Sequence, residues 1–332
     1  MRGHIAATAC RFALHGFVGL GICSGAIAKP LFHLECIPPT KKLAADFAFA
    51  INDNGVVAGL MRNNERSCFK YANGVLTELR DSADTNCVAI NDAGDIAGTG
   101  NLMDSIEHAV VWQADGSRWR VKANTTALDI NNNGQVAVYT NRETGPHTAY
   151  LYTRTDRTNL GTLGGNSSAA LGLNDVGVVV GGSLDAAGQW RAFEWQDGTM
   201  KEICHREGST ATEATRISST GRRLCAADTP TGTVAYLEEA DGSQRDIPRL
   251  DGAYWTPRDM NESGQVVGGN GGGPAVYFDG TNSYNLAKLA DAASGDLRMS
   301  HAFAINRHGV IVGKGRISGQ GDCAVIATPV AP

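Results

Sequence analysis

Polar four-residue corners followed by short apolar runs recur along the chain. Each corner has Asn or Ser first and Gly last, and in most copies the next residues are Val, Ile or Ala. The copies read AINDNGVVAG, AINDAGDIAG, DINNNGQVAV, LNDVGVVVGG, RISSTGRRLC, DMNESGQVVG and AINRHGVIVG. Their glycines are 39, 40, 43, 44, 43 and 45 residues apart, and a nearly fixed period of this size is typical of repeat architectures. We therefore expect one array of seven units rather than several unrelated domains.

The corner predicts a hairpin turn. Two residues in the right-handed region followed by Gly at positive φ describe a type I turn closed by a G1 bulge, which joins antiparallel strands. The first side chain of each corner is expected to bond to its own turn, with Ser weaker than Asn. These residues are Asn52, Asn91, Asn131, Asn174, Ser218, Asn261 and Asn306. We interpret the corner as a turn rather than as a ligand-binding element.

A short alternating strand follows each corner, as in HAVVW at 108, RAFEW at 191 and PAVYF at 274. In several units a second turn of Asp-Gly or Asn-Gly comes next. Each unit thus contains two hairpins, or four strands, in about forty residues. This predicts an all-β fold, a seven-bladed β-propeller of four-stranded antiparallel blades. A parallel solenoid is less suitable because it needs no paired hairpin turns, and only residues 284–293 have the spacing of a short helix.

The ends of the chain are expected to meet. The seventh unit stops after CAVIATPVAP without a last strand, whereas the strand-like run LFHLECIPP precedes the first unit. Pairing of residues 31–39 with 322–330 would complete blade seven and remove open sheet edges. The N-terminal strand therefore closes the predicted ring, and residues 29–332 form a single seven-repeat domain.

The repeats resemble a known family, the bacterial probable extracellular repeats named for a His-Ala-Phe triplet. The resemblance is strongest over residues 158–203, which contain Leu-Gly-Thr-Leu-Gly-Gly, the Asn-Asp-x-Gly corner and an Ala-Phe-x-Trp strand. The triplet is poorly kept, as His108-Ala109-Val110 and Arg191-Ala192-Phe193, and His301-Ala302-Phe303 lies before its corner, aligned with Phe47-Ala48-Phe49. The resemblance implies export and repeats, and it supplies no catalytic residue.

Residues 1–28 read as a secretory signal peptide. Two arginines precede an apolar stretch that ends in Ala26-Ile27-Ala28, which predicts cleavage before Lys29 and a secreted or periplasmic protein without a membrane span. A lipoprotein reading at Cys23 is weaker because Ile22 is bulky. Without the two arginines, 27 basic residues face 34 acidic ones, a net charge of −7. This charge argues against nucleic acid or anionic lipid as a partner.

Six cysteines remain after cleavage, and an even number in an exported chain suggests disulfides, although six cysteines allow fifteen connectivities. Cys36 and Cys323 lie in the runs predicted to be neighbours, so we expect a disulfide across the closure. Spacing suggests Cys68 with Cys87 and Cys204 with Cys225. The alternative of six free buried thiols is disfavoured by export.

The chain lacks the usual catalytic and cofactor signatures. It has no His-Glu-x-x-His, Cys-x-x-Cys, Gly-x-Ser-x-Gly or phosphate-loop motif. We therefore assign no cofactor, catalytic residue or metal. The string from Asp129 to Gly134 fits the opening of a calcium loop, but its twelfth position is Thr140 rather than Glu, and the same geometry is needed for the turn.

These observations favour an exported, monomeric, non-catalytic binding module for a glycan, an envelope component or a protein. The alternative is a propeller enzyme acting on polysaccharide, a glycoside hydrolase or lyase, which would need two carboxylates or a His and a carboxylate at the channel mouth. The functional surface is expected on the face opposite the corners, with Tyr254 and Trp255 as exposed anchors for a sugar ring. The binding candidates on that face are Glu107, His108, Trp190, Arg191, His205, Glu207, Tyr254, Trp255, Arg258 and Asp259.

Overall fold

The computed structural model describes residues 29, 31–62, 66–80, 84–101, 107–140, 146–270 and 273–330. Within these ranges, the strands form seven four-stranded antiparallel sheets, as the sequence predicted. In each sheet the strand that leads into the corner contacts the corresponding strands of both neighbouring sheets, so these seven inner strands surround a central channel. The predicted signal peptide, residues 1–28, lies outside the described residues.

The strands follow one another in chain order through blades one to six. Blades one and two comprise β2 (Ala45–Ile51), β3 (Val57–Arg62), β4 (Arg66–Ala72) and β5 (Val75–Leu79), then β6 (Thr85–Ile90), β7 (Ile96–Asn101), β8 (Glu107–Trp112) and β9 (Arg118–Ala123). Blades three and four comprise β10 (Thr125–Ile130), β11 (Val136–Thr140), β12 (Ala149–Tyr152) and β13 (Arg157–Asn159), then β14 (Gly164–Leu173), β15 (Val179–Asp185), β16 (Trp190–Gln196) and β17 (Thr199–Glu202). Blades five and six comprise β18 (Ala211–Ile217), β19 (Arg223–Thr229), β20 (Gly232–Glu238) and β21 (Gln244–Asp246), then β22 (Pro257–Met260), β23 (Val266–Gly269), β24 (Ala275–Phe278) and β25 (Ser283–Asn285).

Blade seven joins the two ends of the chain. Its strands are β26 (Leu297–Ile305), β27 (Ile311–Ile317), β28 (Gly321–Val330) and the N-terminal β1 (Leu31–Cys36). β1 pairs antiparallel with β28 from Leu31 opposite Val330 to Cys36 opposite Val325, which confirms the predicted closure. Phe32 and Leu34 of β1 are buried, so the closing strand contributes to the core as well as to the hydrogen-bond ladder.

The segment between blades six and seven covers the free edge of β1. It contains two single-turn 3₁₀ helices, Leu286–Lys288 and Ala292–Ser294, where the sequence predicted a short helix. The Phe32 amide donates to the Leu289 carbonyl and the Asp291 amide donates to the Phe32 carbonyl, both at 2.8 Å. The last strand of the ring is therefore not left exposed for pairing with another chain.

Three disulfides are present, and they join the pairs that the sequence suggested. Cys36 bonds to Cys323 across the closure, with Cα atoms 5.8 Å apart and a sequence separation of 287. Cys68 bonds to Cys87 and Cys204 to Cys225, which link blade one to blade two and the end of blade four to blade five. Each bond therefore ties together segments from different repeats.

The apolar core is divided into clusters between neighbouring blades. One cluster, for example, combines Leu151 of blade three with Leu173, Val179 and Phe193 of blade four. The short run after each corner supplies the second strand of the blade, and in blade four this run contains Val-Val-Gly. Its glycine is required in blade four because a Cβ on Gly181 would overlap the carbonyl oxygen of Ala169 in the inner strand. The equivalent glycines Gly59, Gly98, Gly268 and Gly313 meet the inner strand in the same way.

Candidate functional site at the mouth of the central channel

One end of the seven inner strands is the corner face. The corner glycines have φ between 71° and 88°, as the turn prediction requires. The Asn52 side-chain oxygen accepts hydrogen bonds from the amides of Asn54 and Val56, at 3.1 and 2.8 Å. Its amide group also donates to the carbonyl of Asn91 in the next blade, at 2.9 Å. The asparagine therefore fixes its own turn and ties neighbouring blades together.

The link to the next blade is present at six of the seven described corners. The donors of these bonds are Asn52, Asn91, Asn131, Asn174, Asn261 and Asn306, and the last donates to Asn52 and closes the ring. Ser218 of blade five holds its own turn by accepting from the Arg222 amide, but it has no amide group to reach blade six. The serine side chain is too short to form the hydrogen bond to the next blade. The corner face is thus a scaffold element, as the turn interpretation expected.

Every inner strand carries a β-bulge three residues before its corner. The pairing with the second strand shifts there in all seven blades, for example between Ala48 and Ala50 in blade one. A bulge leaves one residue unpaired and changes the direction of its side chain. The seven bulged residues all line one cavity in the channel, and they are Phe49, Val88, Leu128, Leu171, Thr215, Arg258 and Phe303. The repeated bulge turns one residue from each blade towards the same space.

This channel cavity has a volume of about 410 Å³, within the range of small-molecule sites. It lies on the side of the bulges away from the corners. Phe49 and Phe303 line it from blades one and seven, with ring centroids 4.9 Å apart in an edge-to-face arrangement. Phe47 stacks beside Phe49, and His301 stacks beside Phe303. All four rings are half-buried, so this part of the mouth is an aromatic wall.

Two cations lie against this wall. The Arg258 guanidinium carbon is 5.2 Å from the centroid of Phe303, and Arg258 is exposed without a carboxylate partner among the described residues. The Lys314 ammonium is 4.5 Å from the Phe47 centroid and forms an ion pair with Asp322 at 2.7 Å. Burial lowers the pKa of His301, and Lys314 and Arg258 add to this effect. Arg258 is therefore the cation available to a ligand.

Glu213 lies across the cavity on the inner strand of blade five. Its pKa is raised, mainly by burial, while a hydrogen bond from Trp190 opposes the shift. The Trp190 indole nitrogen donates to Glu213 at 3.2 Å, and the Trp190 ring covers Gly182, where a Cβ would overlap it. Among the described residues that line the cavity, Glu213 has the one carboxylate. An ionised carboxylate at this position accepts hydrogen bonds from a ligand, and it can donate one only when it is protonated.

Three charged residues, Asp129, Arg216 and Asp259, form the floor between the cavity and the corner ring, which is the ring of corners joined by hydrogen bonds. Arg216 donates to Asp259 at 2.9 Å, and the other Asp259 oxygen accepts from the Ile305 amide at 2.9 Å. Asp129 accepts from the amides of Ile130 and Leu173. Burial raises the pKa of Asp129 to about 6 against the opposing charge of Arg216. Burial alone would lower the pKa of Arg216, but Asp259 and Asp129 outweigh it and the net shift is upward.

The calcium hypothesis gains no support from this geometry. Asp129 is bonded to backbone amides, and the Asn131 oxygen is occupied by the amides of Asn133 and Gln135. Among the described residues, the group that could approach a metal is Cys204, Cys225 and Glu238, and its two cysteines form a disulfide.

The structure brings together some of the binding candidates and separates others. Arg258 lines the channel cavity, and Asp259 lies in the floor beneath it. Trp190 reaches the rim of the cavity by its hydrogen bond to Glu213, and Tyr254 is half-buried. Arg191 has 15% of its side chain exposed and lies near Asp185 and Glu202. His205 and Glu207 are exposed on the loop after blade four, and Glu107 lines a second cavity described below.

Two of the candidates are wrong as exposed residues. Trp255 is 4% exposed, packs in the core with Leu224 and Met260, and donates to the Pro248 carbonyl at 3.1 Å. His108 is 2% exposed. Trp255 lies just before a strand where the sequence suggested a loop, but its ring packs in the core between strands. The expectation that Tyr254 and Trp255 together form an exposed anchor is therefore incorrect.

The sequence reasoning missed the aromatic wall. Phe47, Phe49, His301 and Phe303 occupy equivalent positions before the corners of adjacent blades one and seven. Aligning the repeats shows aromatic pairs only at these two positions, so the signal was present. It was not recognised because an apolar residue in an alternating strand is normally core, and the bulge that turns these residues into the channel is not visible in the pattern.

Comparison with known proteins gives the fold alone. No family model and no curated sequence matches the chain, so membership of the His-Ala-Phe repeat family stays a prediction. Among solved structures, the β-propeller domain of the Trilobed protease from Pyrococcus furiosus, described as having an open velcro topology, aligns with a TM-score of 0.59 at 12% identity over 91% of this chain and 98% of that one. A catalytically inactive virginiamycin B lyase from Staphylococcus aureus with quinupristin aligns with a TM-score of 0.57 at 11% identity over 90% and 100%. TolB from Acinetobacter baumannii aligns with a TM-score of 0.50 at 11% identity over 83% of this chain and 64% of that one.

Within the part of the chain that the structure describes, no helix has the length and apolar character needed to cross a membrane.

Proposed function

We propose that this chain is an exported β-propeller that binds a ligand of the cell envelope or the exterior, most directly a glycan, in the channel mouth opposite the corners. Export is supported by the secretory features of residues 1–28 and by three disulfides, which persist in oxidising compartments. The single observation that carries the binding proposal is the convergence of the seven bulged residues on one cavity.

The chemistry of the cavity suits a sugar. Half-buried aromatic rings offer flat apolar surface to a sugar ring, and Asn86, Thr256 and Arg258 can bond to hydroxyls at its edge. The side chains are held by the bulged strands of the scaffold rather than by flexible loops, which reduces the entropy lost on binding.

The enzyme alternative is less well supported. A glycoside hydrolase of the usual type needs two carboxylates flanking the scissile bond, whereas Glu213 is the one carboxylate among the described lining residues. Asp129 and Asp259 lie deeper and are occupied by backbone amides and by Arg216. Binding without turnover is therefore the proposed activity.

The test is a polysaccharide panel assayed with the chain from Lys29 onward for both binding and product formation. We expect binding to at least one glycan without release of reducing ends. Phe303→Ala should weaken that binding about tenfold or more, because a stacked ring contributes about 1 kcal/mol beyond its buried area. Tyr150→Ala, a half-buried ring on blade three outside the cavity lining, is the matched control and should bind as wild type. Absence of binding across the panel contradicts the proposal, and turnover abolished by Glu213→Gln establishes the enzyme alternative.

A further inference from the structure

A second cavity adjoins the channel cavity on the same face. It has a volume of about 350 Å³ and lies over blades one to three. Asn86 and Val88 of the inner strand of blade two line both cavities. The two spaces therefore border the same short stretch of β6, and we call them together the groove, which extends from the channel mouth towards Tyr139 and Glu107.

Like the first cavity, the second cavity offers an aromatic ring to a ligand. Tyr139 offers a half-buried ring, held edge-on by His147 at a centroid distance of 5.3 Å. Arg66 at the rim is paired with Asp84 at 3.1 Å, so this cation and this anion cancel. An aromatic platform is therefore present in each half of the groove.

Two hydroxyls of the second cavity have unused hydrogen-bonding capacity. The side-chain oxygens of Thr99 and Thr126 are buried and have no partner among the described residues, although both residues line the cavity. Buried hydroxyls without a partner are uncommon and costly. Rotation about the Cα–Cβ bond of threonine exchanges hydroxyl and methyl, and would present a donor to a molecule in the cavity.

The charges along the groove are balanced. Among the described lining residues, Arg216, Arg258 and Glu213 lie in the first cavity and Arg66, Asp84 and Glu107 in the second, so three basic residues face three acidic ones. The chain as a whole is acidic, with a formal net charge of −5. A polyanionic ligand would be repelled by this field, whereas a neutral, hydroxyl-rich chain meets no electrostatic penalty.

We infer that the groove takes a neutral, linear oligosaccharide long enough to occupy both cavities, with one sugar ring against Phe303 and Phe49 and a later ring against Tyr139. This inference rests on the proposed function and specifies its ligand class. Occupation of the second cavity adds stacking and hydrogen bonds to a ligand already held in the first, so affinity must rise with chain length.

The experiment is titration calorimetry of the chain from Lys29 with cello-, xylo-, manno- and chito-oligosaccharides of one to six units. Oligogalacturonates of the same lengths serve as the charged control. For at least one neutral series we expect affinity to rise about tenfold or more once the ligand reaches the second cavity, and then to level off. Oligogalacturonates should bind more weakly than that neutral series.

Variants test which residue produces the increase of affinity with oligosaccharide length. Tyr139→Ala should remove the increase with length while leaving affinity for the shortest binding fragment unchanged, and Tyr139→Phe should restore it because the ring is kept. Phe303→Ala should instead weaken every length. Thermal unfolding of each variant checks that the ring remains folded.

The outcomes separate the two proposals. Affinity that does not depend on length, tighter binding of oligogalacturonates, or equal weakening of all lengths by Tyr139→Ala overturns the inference while the channel remains a glycan site. No binding by any neutral or acidic series overturns this inference together with its glycan basis.

Discussion

The two ends of the inner strands are built from the same seven repeats but are constrained differently. At the corner end, Asn52 and its equivalents must satisfy their own turn and also reach the next blade, and the residue type is kept in six of seven described copies. At the mouth end, the bulged positions range from Phe303 to Val88, Thr215 and Arg258. Their side chains line the channel cavity, and no one residue type is needed there in every blade. The difference teaches that repetition marks the scaffold of this propeller and variation marks the surface free to bind.

Arg216 in the channel floor gives the largest expected effect. Arg216→Ala would leave Asp129 and Asp259 without a countercharge, and because the Arg216–Asp259 pair is half-buried, the loss of unfolding free energy should lie at the lower end of the range for buried pairs, about 3 kcal/mol. Denaturant unfolding at pH 8 measures it. Arg66→Ala removes an exposed pair with Asp84 and should cost less than about 1 kcal/mol. Equal losses in the two variants would show that the floor is not a stabilising element.

The corner ring should be nearly as sensitive. Asn131 is 4% exposed, accepts from the amides of Asn133 and Gln135, and donates to the Asn174 carbonyl. Asn131→Ala leaves these buried groups unsatisfied and should lower the free energy of unfolding by about 2–4 kcal/mol. Asn133→Ala, an exposed residue of the same turn, should cost less than about 1 kcal/mol. Similar losses for both would contradict the double role assigned to the first corner residue.

Asp129 should make the stability of the protein depend on pH. Its pKa of about 6 in the fold is above the ordinary carboxyl value, so the protonated form is favoured in the folded state. Its stabilising contribution is then largest at low pH and is lost as pH rises through about 6, by about 1–3 kcal/mol. Asp129→Asn stays neutral, so its stability relative to wild type should rise between pH 4 and pH 7. A difference between the two proteins that does not change with pH would refute the assignment.

The smallest effect is expected where the corner ring is incomplete. Ser218→Asn supplies the missing amide donor towards the Asn261 carbonyl and should stabilise the chain by about 0.5–1.5 kcal/mol. The gain is limited because Ser219 and Arg222 already reach Glu262 of blade six. The thermal midpoint measures it, with Ser219→Asn as control. Destabilisation by Ser218→Asn would mean that blade five has a corner geometry of its own.

Much of the architecture could be predicted because local and global signals agree. The corner glycines require positive φ, the alternating strands require a buried face, and the unpaired run at residues 31–39 matches the incomplete seventh blade. Cys36 and Cys323 followed from that closure, since paired strands bring their cysteines within bonding distance. Each of these features depends on the chain next to it or on one strand pairing.

The candidate site could be predicted less well. The choice of the face opposite the corners stays a prediction; of its named residues, Arg258 lines the channel cavity and Trp190 reaches the rim through Glu213. Trp255 was misplaced because its ring packs between strands. Phe49 and Phe303 were missed because an aromatic residue in a strand looks the same in sequence whether it faces a core or a channel.

By itself, the sequence determined the number of blades, the hairpin turns and the closing strand, because these depend on a period, on backbone conformations that few residues adopt and on local pairing. Only the tertiary structure decided which residues face the channel. A bulge shifts the register of each inner strand by one residue, and a shift of one residue reverses the side to which a strand presents its side chains. Asp129, Arg216 and Asp259 belong to blades three, five and six, so their charges come together only when these blades pack around the channel.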